Sequence, residues 1–193
     1  MFDCIVLAAG SSSRMGKPKL HLPFGESTLL RTTVAAALAG GCCPVIVVGR
    51  RDDDNLGSLA SEGIIIVRNK DPSRGMLSSL CEGLALVRGE GFFFIPGDMP
   101  LVAATTYELL SGHFGAGPVI PTYSGRRGHP VLMPSSLIRA LLELPQDRPL
   151  KAFIEASGPT FVEMEDPGVL RDIDDPESYK AAILDLPAAS PRA

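Results

Sequence analysis

Residues 7–20 read LAAGSSSRMGKPKL, directly after the apolar run Cys4-Ile5-Val6-Leu7. An apolar run of this length that ends at a glycine predicts a strand buried on both faces. At Leu7, Ala8, Ala9 and Gly10 no bulky side chain blocks approach to the backbone. Ser11, Ser12 and Ser13 then add small donors, and Arg14, Lys17 and Lys19 add three cations. Gly16 permits an unusual backbone angle, and Pro18 keeps the approach to Lys19 non-helical. A small-residue loop of this kind at the carboxyl end of a first strand suits a polyphosphate. It is not a Walker loop, because five residues separate Gly10 from Gly16 and Pro18 follows Lys17. It is not a dinucleotide fingerprint either, because Gly10-Ser-Ser-Ser lacks the spaced glycines. A solvated Ser/Gly/Lys loop without a ligand is the plain alternative.

Working outward, strand and helix patterns alternate. Strands are predicted near Phe2–Leu7, Val45–Val48, Ile64–Val67, Phe92–Ile95, Pro118–Pro121 and Thr160–Met164. Helices are predicted from Ser27 or Thr28 to Ala39, Met76 to Val87, Ala103 to Ser111, Ser135 to Glu143, Leu150 to Ser157 and Pro176 to Leu184. Ser124-Gly125-Arg126-Arg127-Gly128 predicts a hairpin turn between Tyr123 and Met133. The alternation predicts an α/β fold in three α/β/α layers, with a mostly parallel sheet and ligands at the strands' carboxyl ends. Residues 1–186 are expected to form one domain, with 187–193 as a disordered tail.

Composition narrows the function. With 45% hydrophobic residues and a net charge of −4, the chain is expected to bind neither nucleic acid nor a membrane surface. The cations of the first loop are therefore a local feature. No apolar run reaches the roughly 18 residues of a membrane span, and no leader pattern opens the sequence. The four cysteines, Cys4, Cys42, Cys43 and Cys81, lack zinc spacing, so reduced thiols in a cytoplasmic protein are expected.

Three further stretches carry candidate chemistry. Asp98 sits in Pro96-Gly97-Asp98-Met99-Pro100, delivered by an apolar strand to the same sheet edge. A lone carboxylate there suits Mg²⁺, which combines one or two carboxylates with phosphate oxygens and water. A turn Asp bonding its own backbone is the alternative. Asp172 and Asp174 alternate about Ile173, so in extended chain both carboxylates would share a face. Asp175 reads as a helix cap. Asn69 to Leu80 reads NKDPSRGMLSSL, where Gly75 opens a helix whose N-terminus can meet oxygens. Asp52-Asp53-Asp54 reads as a solvated helix start, and His21 and His113 as structural.

The pattern LAAG-x-S-x-RMG-x-PK-L resembles the signature of the MobA-like nucleotidyltransferases, and within them the molybdenum cofactor cytidylyltransferases. PGDMP, the Asp172-Ile173-Asp174 segment and Gly125-Arg126-Arg127-Gly128-His129-Pro130 are similar to further family motifs, although His21 stands where Leu is usual. The resemblance implies a Rossmann-like nucleotide-diphospho-sugar transferase fold and a Mg²⁺-dependent transfer of CMP from CTP to molybdopterin. It implies that Leu7, Ala8, Ala9, Gly10, Ser12, Arg14 and Lys19 hold the triphosphate, with Arg14, Lys19 and Asp98 catalytic. Asn69, Gly75 and Ser79 would meet base and ribose, and Asp98 and Asp172 the metal, with Asp174 a lesser candidate. The segment around His129 would position the acceptor, and a molybdoenzyme or its chaperone would receive the product. A guanylyltransferase, a transferase acting on sugar or polyol phosphates, and a non-catalytic nucleotide-binding regulator are the alternatives.

Overall fold

The structure is a computed structural model that describes residues 1–10, 15, 18–145 and 149–186. The chain opens with β1 (Asp3–Ala8), a small hairpin of β2 (Pro23–Phe24) and β3 (Ser27–Thr28), and α1 (Leu29–Ala39). There follow β4 (Val45–Arg50), β5 (Ile64–Asn69), α2 (Met76–Leu84), β6 (Gly91–Pro96) and α3 (Ala104–Ser111). The second half contains β7 (Val119–Tyr123), β8 (Arg126–Arg127), β9 (Val131–Pro134), α4 (Ile138–Leu142), α5 (Leu150–Ala156), β10 (Thr160–Glu163) and α6 (Pro176–Leu184).

The main sheet has the order β10-β7-β9-β6-β1-β4-β5, with β8 paired to β7. Parallel pairing joins β6, β1, β4 and β5, whereas β9 runs antiparallel to both β6 and β7. The sheet is therefore mixed, with its parallel half at the N-terminal strands. Chain order reverses at β1, which has β4 on one side and β6 on the other. Loops leaving β1 and β6 part at such a point and leave a crevice at the carboxyl ends of the strands.

Alternation along the strands builds the layers. Cys4, Val6, Val45, Val47, Phe93 and Ile95 face one way and pack with Leu30, Val34 and Ala37 of α1 and Leu110 of α3. Ile5, Ile46, Val48, Phe92 and Phe94 face the other way, against Leu80 and Leu84 of α2, Leu141 of α4 and Ile154 of α5. Val45–Val48 are all fully buried, worth roughly 1.5–3 kcal/mol for each large apolar side chain. A third cluster seats α6 through Ala182, together with Phe24, Leu29 and Ile173.

The local signals act as their chemistry requires. The Thr28 hydroxyl accepts from the Arg31 N–H and starts α1, and Gly41, at φ +84°, lets the chain leave it. Asp175 and Ser178 form a reciprocal capping box on α6. The hairpin turn falls on Ser124 and Gly125, both at positive φ, between β7 and β8. Two predicted helices are shorter than expected: α2 stops at Leu84, and the segment from Ser135 is a 3-10 turn before α4. No helix among the described residues is long and apolar enough to cross a membrane. The expected tail, 187–193, lies outside the described residues.

Gly83 is where α2 approaches β1 most closely, since a Cβ there would lie 2.7 Å from Ile5 Cγ2. Ile5 is fully buried and β-branched, so it has little room to yield. Gly83→Val is expected to lower stability by about 1–3 kcal/mol. A lower urea midpoint with an unchanged slope would show it; an unshifted midpoint would mean that the helix slides without cost.

Candidate active site

A cleft of about 310 Å³ opens at the carboxyl ends of β1 and β6. The end of β1 contributes Leu7, Ala9 and Gly10, and a Cβ at Gly10 would meet only open space. Small residues thus leave the backbone accessible, as the sequence predicts. After Pro18 the chain forms a 3-10 turn, Lys19–His21, which buries Lys19 and Leu20. Lys19 Nζ reaches across to the loop after β6 and donates to Asp98 Oδ2 at 2.5 Å and to Asp174 Oδ1 at 2.6 Å.

Asp98 is fixed from several sides. The Gly97 N–H bonds Leu7 C=O at 2.9 Å, and the buried Thr33 hydroxyl donates to Gly97 C=O at 3.1 Å. A Cβ on Gly97 would stand 2.9 Å from Leu30 Cδ1 and 3.3 Å from Leu7 C=O, so the frame is closely packed here. The Ile173 N–H bonds Asp98 C=O at 2.9 Å, which brings the C-terminal segment to the cleft. Lys19 is 8% exposed and Asp98 9%, so both charges are largely withdrawn from water.

Their titration reflects this. Burial raises the Asp98 carboxyl above its ordinary value, although Lys19 pulls it down. Burial works against the Lys19 charge too, but hydrogen bonds to Asp174 and Asp98 prevail and its pKa is raised. One shift describes a favourable pairing and the other a costly one. The geometry resolves the conflict: Lys19 has two carboxylates, whereas Asp98 has a share of one cation. Asp98 Oδ1 is buried with no hydrogen-bond partner among the described residues. A buried carboxylate oxygen with no donor among the described residues fits a small hard cation. No cluster of three or more His, Cys, Asp or Glu side chains suited to a metal occurs among the described residues, so a cation here would depend on substrate oxygens as well.

The second carboxylate differs from expectation. Asp174 lines the cleft, whereas Asp172 is exposed and does not. Residues 171–174 lack regular extended structure, and the N–H groups of Asp174 and Asp175 both bond Ser178 Oγ. Among the described residues the segment pairs with no strand, so the alternation of a sheet does not fix where its carboxylates point. Ile173 is buried as expected.

The third wall is the start of α2. Gly75 and Ser79 line the cleft, and Gly75 takes φ +85° as the helix begins. Asn69 is buried beneath rather than in the cleft. Its Nδ2 donates to Ser78 and Ser79 hydroxyls at 3.0 Å, and its Oδ1 accepts from the Asp71 N–H at 2.8 Å. It therefore organises the loop that the sequence assigns to base and ribose. Ala8 is buried in β1 and lies off the cleft lining. Ser12 and Arg14 lie outside the described residues.

A second hollow of about 340 Å³ shares Met76 with the cleft. Phe94, Ile120, Val131 and Ile154 make it apolar, and Arg127 and Lys151 stand on its lining. Arg127 pairs with Glu155 at 2.7 Å and lies over the Phe161 ring at 4.7 Å. His129 is held by its N–H to Val169 C=O at 2.9 Å, beside Gly128, where a Cβ would stand 2.3 Å from the same carbonyl. Burial lowers the His129 pKa to about 4, so it is neutral near pH 7 and unsuited to act as a general acid there. His113 bonds Leu109 C=O at 2.9 Å and is remote from this chemistry.

The family model of the MobA-like NTP transferase domain matches residues 4–161. The chain is 29% identical over 181 residues to the molybdenum cofactor cytidylyltransferase of Escherichia coli K12, covering 93% of this chain and 94% of that one. A solved nucleotidyl transferase from Methanothermobacter superposes with a TM-score of 0.81 at 25% identity, covering 94% of this chain and 95% of the other. A Mycobacterium tuberculosis protein solved in complex with manganese shares the fold, with a TM-score of 0.78 at 22% identity and cover of 96% and 99%.

Neutral His129 has a consequence for acid stability. Below pH 6.5 the unfolded chain takes up a proton that the folded chain refuses until about pH 4. Stability is therefore expected to fall between those values by about 3 kcal/mol through this group, from its shift at 1.36 kcal/mol per unit. His129→Leu should flatten that limb in urea titrations from pH 7 to 4. An equally steep limb in the variant would place the acid sensitivity elsewhere.

Proposed function

The chain belongs to the MobA-like NTP transferase family, and from that premise we propose that this nucleotidyltransferase moves CMP from CTP to the phosphate of molybdopterin. The observation that carries the reading is the Asp98 carboxylate, with Lys19 on one oxygen and no partner among the described residues on the other. The likeness to the Escherichia coli cytidylyltransferase supports CTP and the molybdopterin acceptor.

In this reading the triphosphate lies along Leu7, Ala9 and Gly10, with Lys19 and Arg14 as its cations. Gly75 and Ser79 at the start of α2 meet the nucleoside. Asp98 and Asp174 would hold Mg²⁺, with Asp174 taking the place that the family resemblance gave to Asp172. Bound there, the ion would neutralise charge on the nucleotide and acceptor oxygens. The apolar hollow beyond Met76 suits a flat heteroaromatic body, with Lys151 and Arg127 available to its phosphate.

The chemistry asks little covalent work of the protein. An oxygen of the acceptor phosphate forms a bond to the α-phosphorus, and the bond from that phosphorus to the bridging oxygen of pyrophosphate breaks. The nucleophile is already anionic, so it needs no base, which accords with a neutral, buried His129. Lys19 exchanges a carboxylate for a phosphate oxygen and stabilises charge gathering on the leaving group. Withdrawal from water strengthens that contact and fixes its direction.

With Mg²⁺ and molybdopterin, pyrophosphate release is expected with CTP in preference to GTP, ATP and UTP. A GTP preference would retain the mechanism and reverse the base assignment. Release only with sugar or polyol phosphates would overturn the acceptor. Tight CTP binding without release would favour a regulator. Lys19→Ala should lower the rate by roughly 10²-fold.

Asp98→Asn separates activity from folding. Because burial raises the Asp98 pKa, its ionised form burdens the folded state once the pH rises through that pKa. The amide should therefore melt no lower than the parent at pH 7, while turnover falls by at least about 10². Near-parental turnover at saturating Mg²⁺ would sink the metal assignment.

A further inference from the structure

We propose that His21 and Asp53 form a positioning pair that holds Lys19 at the cleft; this rests on the reading of Lys19 as the triphosphate cation. His21 Nε2 lies 2.9 Å from Asp53 Oδ1 and 2.7 Å from Asp53 Oδ2. Neither residue lines the cleft. Both are shielded, with side chains 19% and 15% exposed, unlike the solvent-facing pairs Arg50–Asp52 and Arg139–Glu143. Surface pairs of that kind organise little; a shielded, two-oxygen contact restricts its partners more.

The placement gives the pair its meaning. Lys19 and His21 are the two ends of one 3-10 turn, and positions two apart in such a turn point about 120° apart. Lys19 reaches the loop after β6, and His21 reaches the segment after β4. Those strands flank β1 in the sheet. The turn therefore bridges the carboxyl end of β1 and is pinned on both flanks, with Leu20 buried between.

The far end of the pin is itself fixed to the sheet. Asp53 Oδ1 accepts from the Asn55 N–H at 3.1 Å. Asp53 C=O accepts from the Arg68 guanidinium at 3.0 Å, and Arg68, on β5, also bonds Arg51 C=O at 2.9 Å. Rigid strands thus hold Asp53, Asp53 holds His21, and His21 holds the backbone from which Lys19 springs. Lysine has a flexible four-carbon stem. When Nζ exchanges Asp98 or Asp174 for phosphate, those contacts no longer fix the turn. The His21–Asp53 contact persists through that exchange, so the ammonium moves while its root does not.

The test combines a chemical and a kinetic readout on the intact protein. Acylation of Lys19 by a small N-hydroxysuccinimide ester is followed by peptide mass spectrometry. Pyrophosphate release from CTP, with Mg²⁺ and molybdopterin, is measured alongside. His21→Leu should raise Lys19 labelling several-fold and lower kcat about tenfold, with KM for CTP moving less. His21→Gln keeps a donor at the position of Nε2 and should stay near the parent in both. Asp53→Asn keeps the cap on Asn55 and should label at an intermediate rate. In a Lys19→Ala background His21→Leu should cost nothing further, because it acts only through Lys19. Unchanged labelling in His21→Leu and Asp53→Asn, or an equal rate loss with and without Lys19, would overturn the pair's role. A parent protein that releases no pyrophosphate would instead overturn the reading of the cleft, and the labelling would still decide whether the pair positions Lys19.

Discussion

One ammonium group joins three distant parts of the chain. Lys19 Nζ lies 2.5 Å from Asp98 and 2.6 Å from Asp174, so the loops after β1 and β6 and the segment before α6 meet at a single cation. Burying charge is expensive unless partners satisfy it, and among the described residues satisfaction is incomplete by one carboxylate oxygen. The fold tolerates this because the surrounding frame is over-determined. Gly97 is bonded to Leu7 and Thr33, and Ile173 is bonded to Asp98.

Most of the fold was legible because its signals are local. Four consecutive fully buried residues at Val45–Val48, a glycine at the end of α1 and positive φ at Ser124-Gly125 each follow from neighbours in sequence. The mixed character of the sheet was less accessible. The hairpin turn can be read, but not that β9 would lie between β7 and β6, since nothing local specifies which strand edge it joins.

The site divides along the same line. Asp98 and Lys19 were legible, because a rigid Pro-Gly-Asp-Met-Pro frame and a cationic small-residue loop announce themselves. Alternation offered Asp172 and Asp174 together and the family resemblance favoured Asp172, whereas the structure brings Asp174 to the cleft lining. The contact between His21 and Asp53 spans 32 positions, and each residue alone reads as ordinary: a loop histidine, and an acid at a helix start. Asp53 does serve as that start, bonding the Asn55 N–H, but its side chain is shielded by the contact rather than solvated.

Ser178 shows why a small residue suits the edge of this cleft. Its hydroxyl accepts from the N–H groups of Asp174 and Asp175 and donates to Asp175 C=O at 2.9 Å. A carboxylate could accept those two bonds but could not donate the third. It would also add negative charge beside Asp174, whose carboxylate and that of Asp98 both bond Lys19 Nζ. Repulsion between like charges would raise the cost of ionising Asp98 further. A neutral hydroxyl completes the capping box without that cost.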